Sequence, residues 1–461
     1  MKTGRESICS HQHEKAPVAG EGTVKVFQES QHPIHKVFTV ASISLWRGGL
    51  ADCNGRWLAL WKSTIEDMER KLTIVFFDAG GGHRSAAEAL KSVLENQEQP
   101  WRVELLNLQE QLDKLDIVRK LTGIRLQDAY NLILRKGWTR LTPQLLPAMQ
   151  SVIRMFHRPT VKMLQDYWRQ NPTDLVLSVI PHFNRAMAES IRKTTPRTAF
   201  VTLLTDFADY PPHFWIERQK QFLICGSERA EQQAFALGHD RDHVFLASGM
   251  IMKPKFYQRT SVDRKSERGR LGLDSDIPVG IVLFGGHGSG TMLHIVKRIN
   301  AVSIKVQLIL ICGKNTKLQN AIKSLKTRFP IFVEGFTQNV DHYMALSDFF
   351  IGKPGPGSIS EALQFHLPVI VECNSRTLPQ ERYNAQWVTE KRVGIVLKSF
   401  RHVTEGVQQL LDPTTFAEFR KNAEAYTNRA LFEIPQFLDT IAYRQSSIQN
   451  TETVLQIAEE A

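Results

Sequence analysis

Short apolar runs recur along the chain from residue 70 onward, and each is followed by a loop or by a stretch with helical spacing. Such runs, rich in β-branched residues and bounded by glycine or polar residues, predict strands. Strands that alternate with helices favour parallel sheets with helical crossovers. The predicted strands lie at residues 72–77, 103–106, 174–179, 199–204, 222–225 and 244–246, and then at 279–284, 306–311, 331–333, 349–351, 369–371 and 393–397. The predicted fold is α/β, with two doubly wound parallel-sheet domains.

The same pattern divides the chain into four parts. Residues 1–69 show no sustained period of 2 or 3.6 residues, so we expect a poorly structured N-terminal extension there. We expect a first domain over 70–255 and a second over 256–432. Residues 433–461 are expected to form a C-terminal helix that packs back on the first domain. Two sheets of this kind face a central cleft, where ligands bind at the carboxyl ends of the strands.

Composition limits the class of protein. A chain of 461 residues with 42% hydrophobic residues can bury a full core, which excludes disordered, collagen-like and small disulfide-rich classes. The longest apolar runs, 175–180 and 279–284, are far shorter than the roughly 18 residues that a membrane-spanning helix needs. Five scattered cysteines without a CxxC pair favour reduced thiols in a cytosol and argue against a cysteine-based zinc site.

Charge adds a prediction about partners. The net charge is +11, and residues 119–169 carry ten basic and two acidic side chains, interleaved with apolar residues and with Trp138 and Trp168. This mixture is typical of surfaces that lie in the headgroup layer of an anionic membrane. The candidate membrane residues are Arg135, Lys136, Trp138 and Arg140. The alternative is an ordinary pair of amphipathic helices whose apolar face belongs to the core.

A glycine turn follows the first predicted strand. Gly80, Gly81 and Gly82 let the backbone approach a ligand closely, and the helix that follows points its amides at the same place. His83 and Arg84 come next; a histidine with a pKa of about 6.5 is suited to accept a proton at neutral pH. We therefore predict an acceptor or phosphate loop here, although tight strand-to-helix turns also use glycine for steric reasons alone.

Two further glycine turns lie in the second half. One includes Gly285 and Gly286, and the other leads into a helix whose amides from Gly357 to Ser360 are suited to a diphosphate. Glu361, one turn into that helix, can accept hydrogen bonds from ribose hydroxyls, or can simply favour the positive end of the helix dipole. Neither turn has the GxxxxGK[ST] pattern of a P-loop or the GxGxxG pattern of a dinucleotide site.

Taken in order, these motifs resemble glycosyltransferase family 28. The resemblance rests on GGGHR, Thr205-Asp206-Phe207 with His213 and Trp215, Gly249-Met250, GGxGxG, GPGS-x-x-E and Pro379-Gln380-Glu381-Arg382-Tyr383-Asn384. It covers residues from about 70 to 430. Within the family the chain is most similar to the branch of monogalactosyldiacylglycerol synthases and processive diacylglycerol glucosyltransferases.

This resemblance implies a GT-B fold, a donor of UDP-glucose or UDP-galactose in the second domain, and a diacylglycerol acceptor at the first. It implies inverting transfer to a β-glycoside. His83 is implied to activate the acceptor, with Asp206 as the alternative base or orienting partner. The residues implied to bind the donor are Gly285, Gly286, Phe336, Lys353, Gly357, Ser358, Glu361, Gln380 and Glu381. His287 and Pro354 depart from the family pattern and leave the sugar preference open.

No metal and no cofactor is expected, since helix amides and a lysine can stabilise departing UDP. Two Asp-x-Asp pairs, at 240–242 and 274–276, are interpreted as surface turns. The alternative enzymes are those that use UDP-N-acetylglucosamine, either a lipid-linked transferase or a 2-epimerase. Nucleic acid is not expected as a partner. The predicted location is the cytoplasmic face of a membrane, as a peripheral protein.

Overall fold

The computed structural model of the chain describes residues 70–78, 82–114, 150–151, 153–258 and 262–460. It confirms an α/β fold built on two parallel sheets of six strands each. The strand order is β2-β1-β3-β4-β5-β6 in the first sheet and β12-β11-β10-β7-β8-β9 in the second. In both sheets the order reverses once, between β1 and β3 in the first and between β7 and β10 in the second. Ligands of doubly wound sheets bind at such points of reversal.

The first sheet and its helices take up the chain from residue 70 to residue 246. The strands are β1 (Arg70–Phe76), β2 (Trp101–Asn107), β3 (Leu175–Ser178), β4 (Ala199–Leu203), β5 (Phe222–Cys225) and β6 (Val244–Leu246). The helices are α1 (Gly82–Leu94), α2 (Leu108–Lys114), α3 (His157–Gln170), α4 (Asn184–Thr194) and α5 (Glu228–Ala236). Strands β3 and β4 are buried over their full length, as expected for strands that are covered by helices on both faces.

The second sheet and its helices follow. The strands are β7 (Val279–Leu283), β8 (Gln307–Ile311), β9 (Ile331–Glu334), β10 (Phe349–Gly352), β11 (Val369–Glu372) and β12 (Gly394–Leu397). The helices are α6 (Arg264–Arg270), α7 (Thr291–Asn300), α8 (Thr316–Lys323), α9 (Val340–Ala345), α10 (Pro356–Gln364), α11 (Arg382–Glu390), α12 (Val403–Leu410) and α13 (Pro413–Ala425), with a short 3-10 helix at Pro379–Glu381.

A last helix, α14 (Ala430–Glu460), returns to the first sheet. Its residues Leu431, Ile434, Leu438 and Ile441 are buried in the same core cluster as the strands of that sheet. The Asp439 carboxylate accepts hydrogen bonds from the Trp101 indole at 2.9 Å and the Arg70 guanidinium at 2.7 Å. The first domain is therefore built from two distant parts of the chain.

The two domains meet at an aromatic pair. Phe207, four residues after the end of β4 at Leu203, is fully buried and stacks on Trp387 of α11 with ring centroids 4.5 Å apart. Phe207 belongs to a core cluster whose other members come mainly from the second domain. Aromatic stacking at this distance adds to the free energy gained by burial. This contact sets the position of the loop after β4 relative to α11.

The segment that connects the domains is fixed by the returning chain. Asn428 donates a hydrogen bond to the carbonyl of Met250 at 2.8 Å, and the Ser248 amide donates to Glu433 at 2.7 Å. A Cβ atom at Gly249 would lie 2.4 Å from the Tyr426 hydroxyl oxygen, so only glycine fits there.

The structure corrects one part of the membrane prediction. Trp168, expected in a headgroup layer, is 1% exposed and packs in the first domain's core, where its indole donates to the Ser190 hydroxyl at 2.9 Å. The spacing of Val161, Leu164 and Trp168 places all three on the buried face of α3. Arg135, Lys136, Trp138 and Arg140 lie outside the described residues.

Candidate active site

His83 lies in the first turn of α1, directly after the glycine turn that follows β1. Its Nδ1 is 3.3 Å from the Thr205 hydroxyl oxygen, and its ring also hydrogen-bonds to the backbone of Val179. Burial lowers the pKa of His83 to about 4, against the smaller opposite effect of the Val179 bond. The imidazole is therefore neutral at pH 7 and can accept a proton.

Asp206 lies in the loop after β4, at the same edge of the first sheet. It is 8% exposed, and its Oδ2 accepts a hydrogen bond from the Trp215 indole at 3.0 Å. Burial raises the pKa of Asp206 to about 7; the Trp215 bond and Lys353 act in the opposite direction, while Glu381 and Asp209 raise it further. The ring of Trp215 also lies 6.0 Å from the ring of His83. One tryptophan thus contacts both candidate proton acceptors.

Asp209 holds the loop that carries this tryptophan. Its carboxylate accepts hydrogen bonds from the backbone amides of His213 at 3.0 Å and Trp215 at 2.6 Å. The amide and carbonyl of Asp209 are both bonded to the Gln233 side chain at 2.9 Å. The loop is fixed at both ends, which fixes the direction of the Trp215 indole toward Asp206.

Arg84 has a partner within the protein. Its guanidinium donates two hydrogen bonds to the Asp78 carboxylate, at 3.0 and 2.9 Å, across the turn that contains the three glycines. Asp78 raises the pKa of Arg84 further, so the side chain stays charged. Gly82 is the first residue of α1, whereas Gly80 and Gly81 lie outside the described residues. The arginine predicted to contact a ligand therefore also joins the start of α1 to the residue Asp78 that follows β1.

An open cavity lies at the reversal point of the second sheet. It holds about 650 Å³ of empty space, part of it continuous with solvent. Five of the residues predicted to bind the donor line it: Gly285, Gly286, Phe336, Ser358 and Glu361. The Phe336 side chain is 55% exposed at the rim, and the Lys314 ammonium lies 5.3 Å from the centre of its ring.

The floor of this cavity is formed where two glycine turns touch. Gly285 has a φ of 76°, in the region that favours glycine. Gly313, also at positive φ, approaches so closely that a Cβ atom there would lie 2.3 Å from the Gly286 carbonyl oxygen. The Lys314 amide donates to the same carbonyl at 2.9 Å. Sequence reasoning missed Gly313, although it follows strand β8 as Gly285 follows β7.

Glu361 of helix α10 is one of the residues that line this cavity. Burial raises the pKa of Glu361 to about 7, and the charges of Lys253 and Lys255 partly oppose this rise. Sequence reasoning missed both lysines, which line the cavity from the segment that connects the domains. Lys255 also pairs with Asp341 and donates to the carbonyl of Gln338. Their nearness in sequence to Gly249-Met250 was the available signal.

Helix α10 begins beside the cavity. Its N-cap is Gly355, with Pro356 in the first turn. The Ile359 amide donates to the Gly355 carbonyl at 3.1 Å, which corrects the expectation that all the amides from Gly357 to Ser360 are available. The geometry of a helix N-terminus leaves the amides of Gly357 and Ser358 for a ligand.

The remaining donor candidates lie on the side that faces the first domain. The Lys353 ammonium is 2.8 Å from the Glu381 carboxylate, whose side chain is 10% exposed. Gln380 precedes Glu381 in the 3-10 helix Pro379–Glu381. The charges of Lys353 and Glu381 both act on Asp206, so this pair of the second domain lies near Asp206 of the first.

Two kinds of feature are absent from the described residues. No helix among them is long and apolar enough to cross a membrane. Within the same part of the chain, no three His, Cys, Asp or Glu side chains are grouped so that they could hold a metal ion.

The chain is similar to known proteins over most of its length. Residues 281–440 match the glycosyltransferase family 28 C-terminal domain. The chain is 27% identical over 366 residues to monogalactosyldiacylglycerol synthase of Spinacia oleracea and 26% identical over 367 residues to monogalactosyldiacylglycerol synthase 1 of Arabidopsis thaliana, both chloroplastic. These matches cover 75% and 76% of this chain, and the chain spans about two thirds (66%) of the length of either relative.

The fold has solved counterparts. The structure of Acinetobacter baumannii MurG covers 80% of this chain and 99% of its own, with a TM-score of 0.54 and 10% sequence identity. This likeness shows that the two sheets form a GT-B fold. The second domain, over residues 281–440, is thus similar to the glycosyltransferase family 28 C-terminal domain, and about three quarters of the chain is similar to monogalactosyldiacylglycerol synthases.

Proposed function

We propose that the chain is an inverting glycosyltransferase that moves glucose or galactose from a UDP-sugar to diacylglycerol. The observation that carries the proposal is the cavity at the second reversal point, where glycine turns, Glu361 and two lysines meet. The nearness of Asp206 to Lys353 and Glu381, and the hydrogen bond between Thr205 and His83, support a catalytic role for His83 and Asp206 beside the donor. The relatives named as monogalactosyldiacylglycerol synthases support the acceptor class.

The donor is proposed to bind across the carboxyl edge of the second sheet. The amides of Gly357 and Ser358 and the Lys353 ammonium accommodate the diphosphate, because these groups concentrate positive charge. Glu361 accepts hydrogen bonds from the ribose, and the exposed ring of Phe336 covers the base. No metal and no cofactor is proposed, since the helix amides and lysines can stabilise the negative charge of the departing UDP.

The transfer requires one proton acceptor. The oxygen of the acceptor hydroxyl attacks the anomeric carbon of the sugar from the face opposite to UDP. A bond forms between that oxygen and the anomeric carbon, the bond from the carbon to the phosphate oxygen breaks, and UDP departs with the electron pair. The hydroxyl proton passes to His83, which is neutral at pH 7. Attack from the opposite face inverts the configuration.

A direct assay tests the reaction. Purified protein is incubated with labelled UDP-glucose, UDP-galactose or UDP-N-acetylglucosamine and vesicles that contain diacylglycerol, and the lipid product is analysed. We expect a hexosyl diacylglycerol with β configuration from one or both hexose donors, without added metal. Transfer from UDP-N-acetylglucosamine alone, or its 2-epimerisation, would contradict the proposal.

The donor site is tested separately by calorimetry with UDP. Glu361→Ala is expected to weaken UDP binding by about 1.5–3 kcal/mol, the range for hydrogen bonds to a charged group. Glu390→Ala is the control, because Glu390 is exposed at the end of α11. Unchanged affinity in Glu361→Ala would place the nucleotide elsewhere.

An anionic membrane surface on the cytoplasmic side is the proposed partner of the basic segment. Each Lys or Arg close to such a surface is worth about 1 kcal/mol. Replacement of Arg135, Lys136 and Arg140 by Gln is therefore expected to release the protein from anionic vesicles and to leave UDP affinity unchanged. A triple variant that still floats with the vesicles would contradict this role.

A further inference from the structure

Three ionisable residues from the two domains lie near one another: Asp206, Lys353 and Glu381. Asp206 follows β4 in the first domain, and the charges of Lys353 and Glu381 of the second domain act on it. The stack of Phe207 on Trp387 explains this nearness. Phe207 directly follows Asp206, and the helix that carries Trp387 begins directly after Glu381.

The two members of the Lys353–Glu381 ion pair differ in exposure. The Lys353 Nζ lies 2.8 Å from the Glu381 Oε1, and the lysine side chain is 42% exposed whereas that of Glu381 is 10% exposed. Lys353 directly follows β10 and precedes the turn into α10, whose amides face the proposed diphosphate position. The ammonium can therefore turn toward a diphosphate by rotation of its own side chain, while Glu381 stays in the packed 3-10 helix.

The surroundings of Asp206 make it sensitive to such a movement. Its Oδ2 is held by Trp215, and Thr205 and Trp215 link its loop to His83. Lys353 favours the ionised carboxylate, whereas Glu381 and Asp209 disfavour it. With a pKa of about 7, the carboxyl group is close to half protonated at neutral pH, where a small change in local charge moves the most protons.

We propose that Lys353 leaves Glu381 for the diphosphate when the donor binds, and that this exchange draws a proton from solvent onto Asp206. The inference rests on the proposed function, because it takes the ligand to be a nucleoside diphosphate. Three changes then favour the protonated form of Asp206. The lysine moves toward the anionic ligand, Glu381 is no longer neutralised, and the phosphates add negative charge.

The exchange separates the roles of the two candidate bases. An Asp206 that is protonated in the donor complex cannot take the acceptor proton, so it serves as a neutral hydrogen-bonding group held by Trp215. His83 remains the proton acceptor. The donor that binds first would thereby prepare the cleft for the acceptor.

Proton uptake on UDP binding tests the inference without any catalytic turnover. Titration calorimetry of UDP at pH 7 is carried out in buffers of different ionisation enthalpy, which gives the number of protons taken up per UDP bound. We expect wild type to take up about 0.4–0.5 proton more than Asp206→Asn, because a rise of one unit or more in the pKa completes a half-finished protonation. Titration of the phosphates and of Glu361 is common to both proteins and cancels.

Lys353→Met identifies the moving group. Without the ammonium, Asp206 is already protonated before UDP arrives, so the extra uptake should disappear, although UDP binds more weakly. Glu390→Gln makes the same acid-to-amide change as Asp206→Asn at an exposed position at the end of α11, and should keep the wild-type value.

The possible results separate the two proposals. Equal proton uptake in wild type and Asp206→Asn, with UDP still bound, overturns the exchange alone. If Lys353→Met takes up as many protons as wild type, Lys353 is not the moving group, and the exchange is overturned as well. This second variant also provides the test if Asp206→Asn does not fold. A wild-type protein that binds no UDP overturns the proposed function together with this inference.

Discussion

Burial favours the neutral form of both His83 and Asp206, and therefore moves their pKa values in opposite directions. The histidine loses affinity for a proton and is neutral down to about pH 4, whereas the aspartate gains affinity and is half protonated at about pH 7. His83 is consequently in its proton-accepting form over the whole physiological range.

His83→Ala is expected to lower turnover about 100-fold or more, the usual scale for loss of a general base, with UDP affinity nearly unchanged. The measurement is kcat on vesicles together with calorimetry of UDP. His243→Ala is a control, since that histidine lies beside β6 and away from the cleft. Wild-type turnover in His83→Ala, combined with an inactive Asp206→Ala, would assign the base to Asp206.

Asp206 should also make stability depend on pH. An acid whose pKa is raised on folding binds more protons in the folded state than in the unfolded state. Its contribution to the free energy of unfolding is therefore fully present below about pH 4 and is lost as the pH rises to about 7. We therefore compare the melting temperatures of Asp206→Asn and wild type at two pH values. The difference, variant minus wild type, is expected to be larger at pH 8 than at pH 5. Asp166→Asn, an exposed aspartate paired with Arg169, should show no such change between the two pH values.

At this scale the sequence predicted residue types at the site better than their partners. The glycine turns, His83, Asp206 and Glu361 could be found because they follow predicted strands. Lys253, Lys255 and Gly313 were missed, because their only signals were position: the two lysines lie shortly after Gly249-Met250, and Gly313 follows a strand as a single glycine. The pairing of Arg84 with Asp78 and of Lys353 with Glu381 depends on side-chain directions that only the folded chain defines.

Among the elements, α14 makes polar contacts with the first domain at Glu433, Asp439 and Arg444, and Asp439 has three hydrogen-bond donors there. Asp439 accepts hydrogen bonds from Trp101, Arg70 and Gln97. Asp439→Ala leaves the donor of a buried tryptophan without its acceptor, and is expected to lower the free energy of unfolding by about 1–3 kcal/mol. Denaturant unfolding measures this. Ser446→Ala, an exposed position on the same helix, should change little, and an equally small effect of Asp439→Ala would show that Asp439 does not stabilise the docked helix.

Helices and strands differed in how well the pattern predicted them. The parallel strands were found because their apolar runs are continuous, as in β3 and β4. Helix α3 was assigned to a membrane surface because Lys162 and Arg169 alternate with apolar residues along the chain. Val161, Leu164 and Trp168 are three and four residues apart, so in a helix they lie on one buried face. The order of basic and apolar residues along the chain does not show this face.

For the whole molecule, the stack of Phe207 on Trp387 couples the two domains. Phe207→Ala removes a fully buried ring and is expected to cost about 3–5 kcal/mol. Because the lost contact joins the domains, calorimetric unfolding should also broaden or split into two transitions. Tyr443→Ala, which removes a ring that is 60% exposed, should leave a single transition at nearly the wild-type temperature. A single, unshifted transition in Phe207→Ala would show that other contacts couple the domains.

The architecture was predictable because the alternation of strands and helices begins near residue 70 and restarts near residue 279, each time with a glycine turn near its start. The strand orders were not predictable in detail, since they depend on which crossovers pass over which face. Nor does any local pattern indicate that Phe207 packs in the core of the other domain.

The return of α14 to the first sheet has a consequence for synthesis on the ribosome. Leu431, Ile434, Leu438 and Ile441 are the last components of a core whose first strand begins at Arg70. A nascent chain emerges from its N-terminus, so the six strands of the first sheet are made long before the helix that completes their core. The second domain, which lies between these two parts, is finished earlier and can fold first. The domain that is translated first is thus the last to be completed, and its partly covered apolar surface is what a chaperone would meet during elongation.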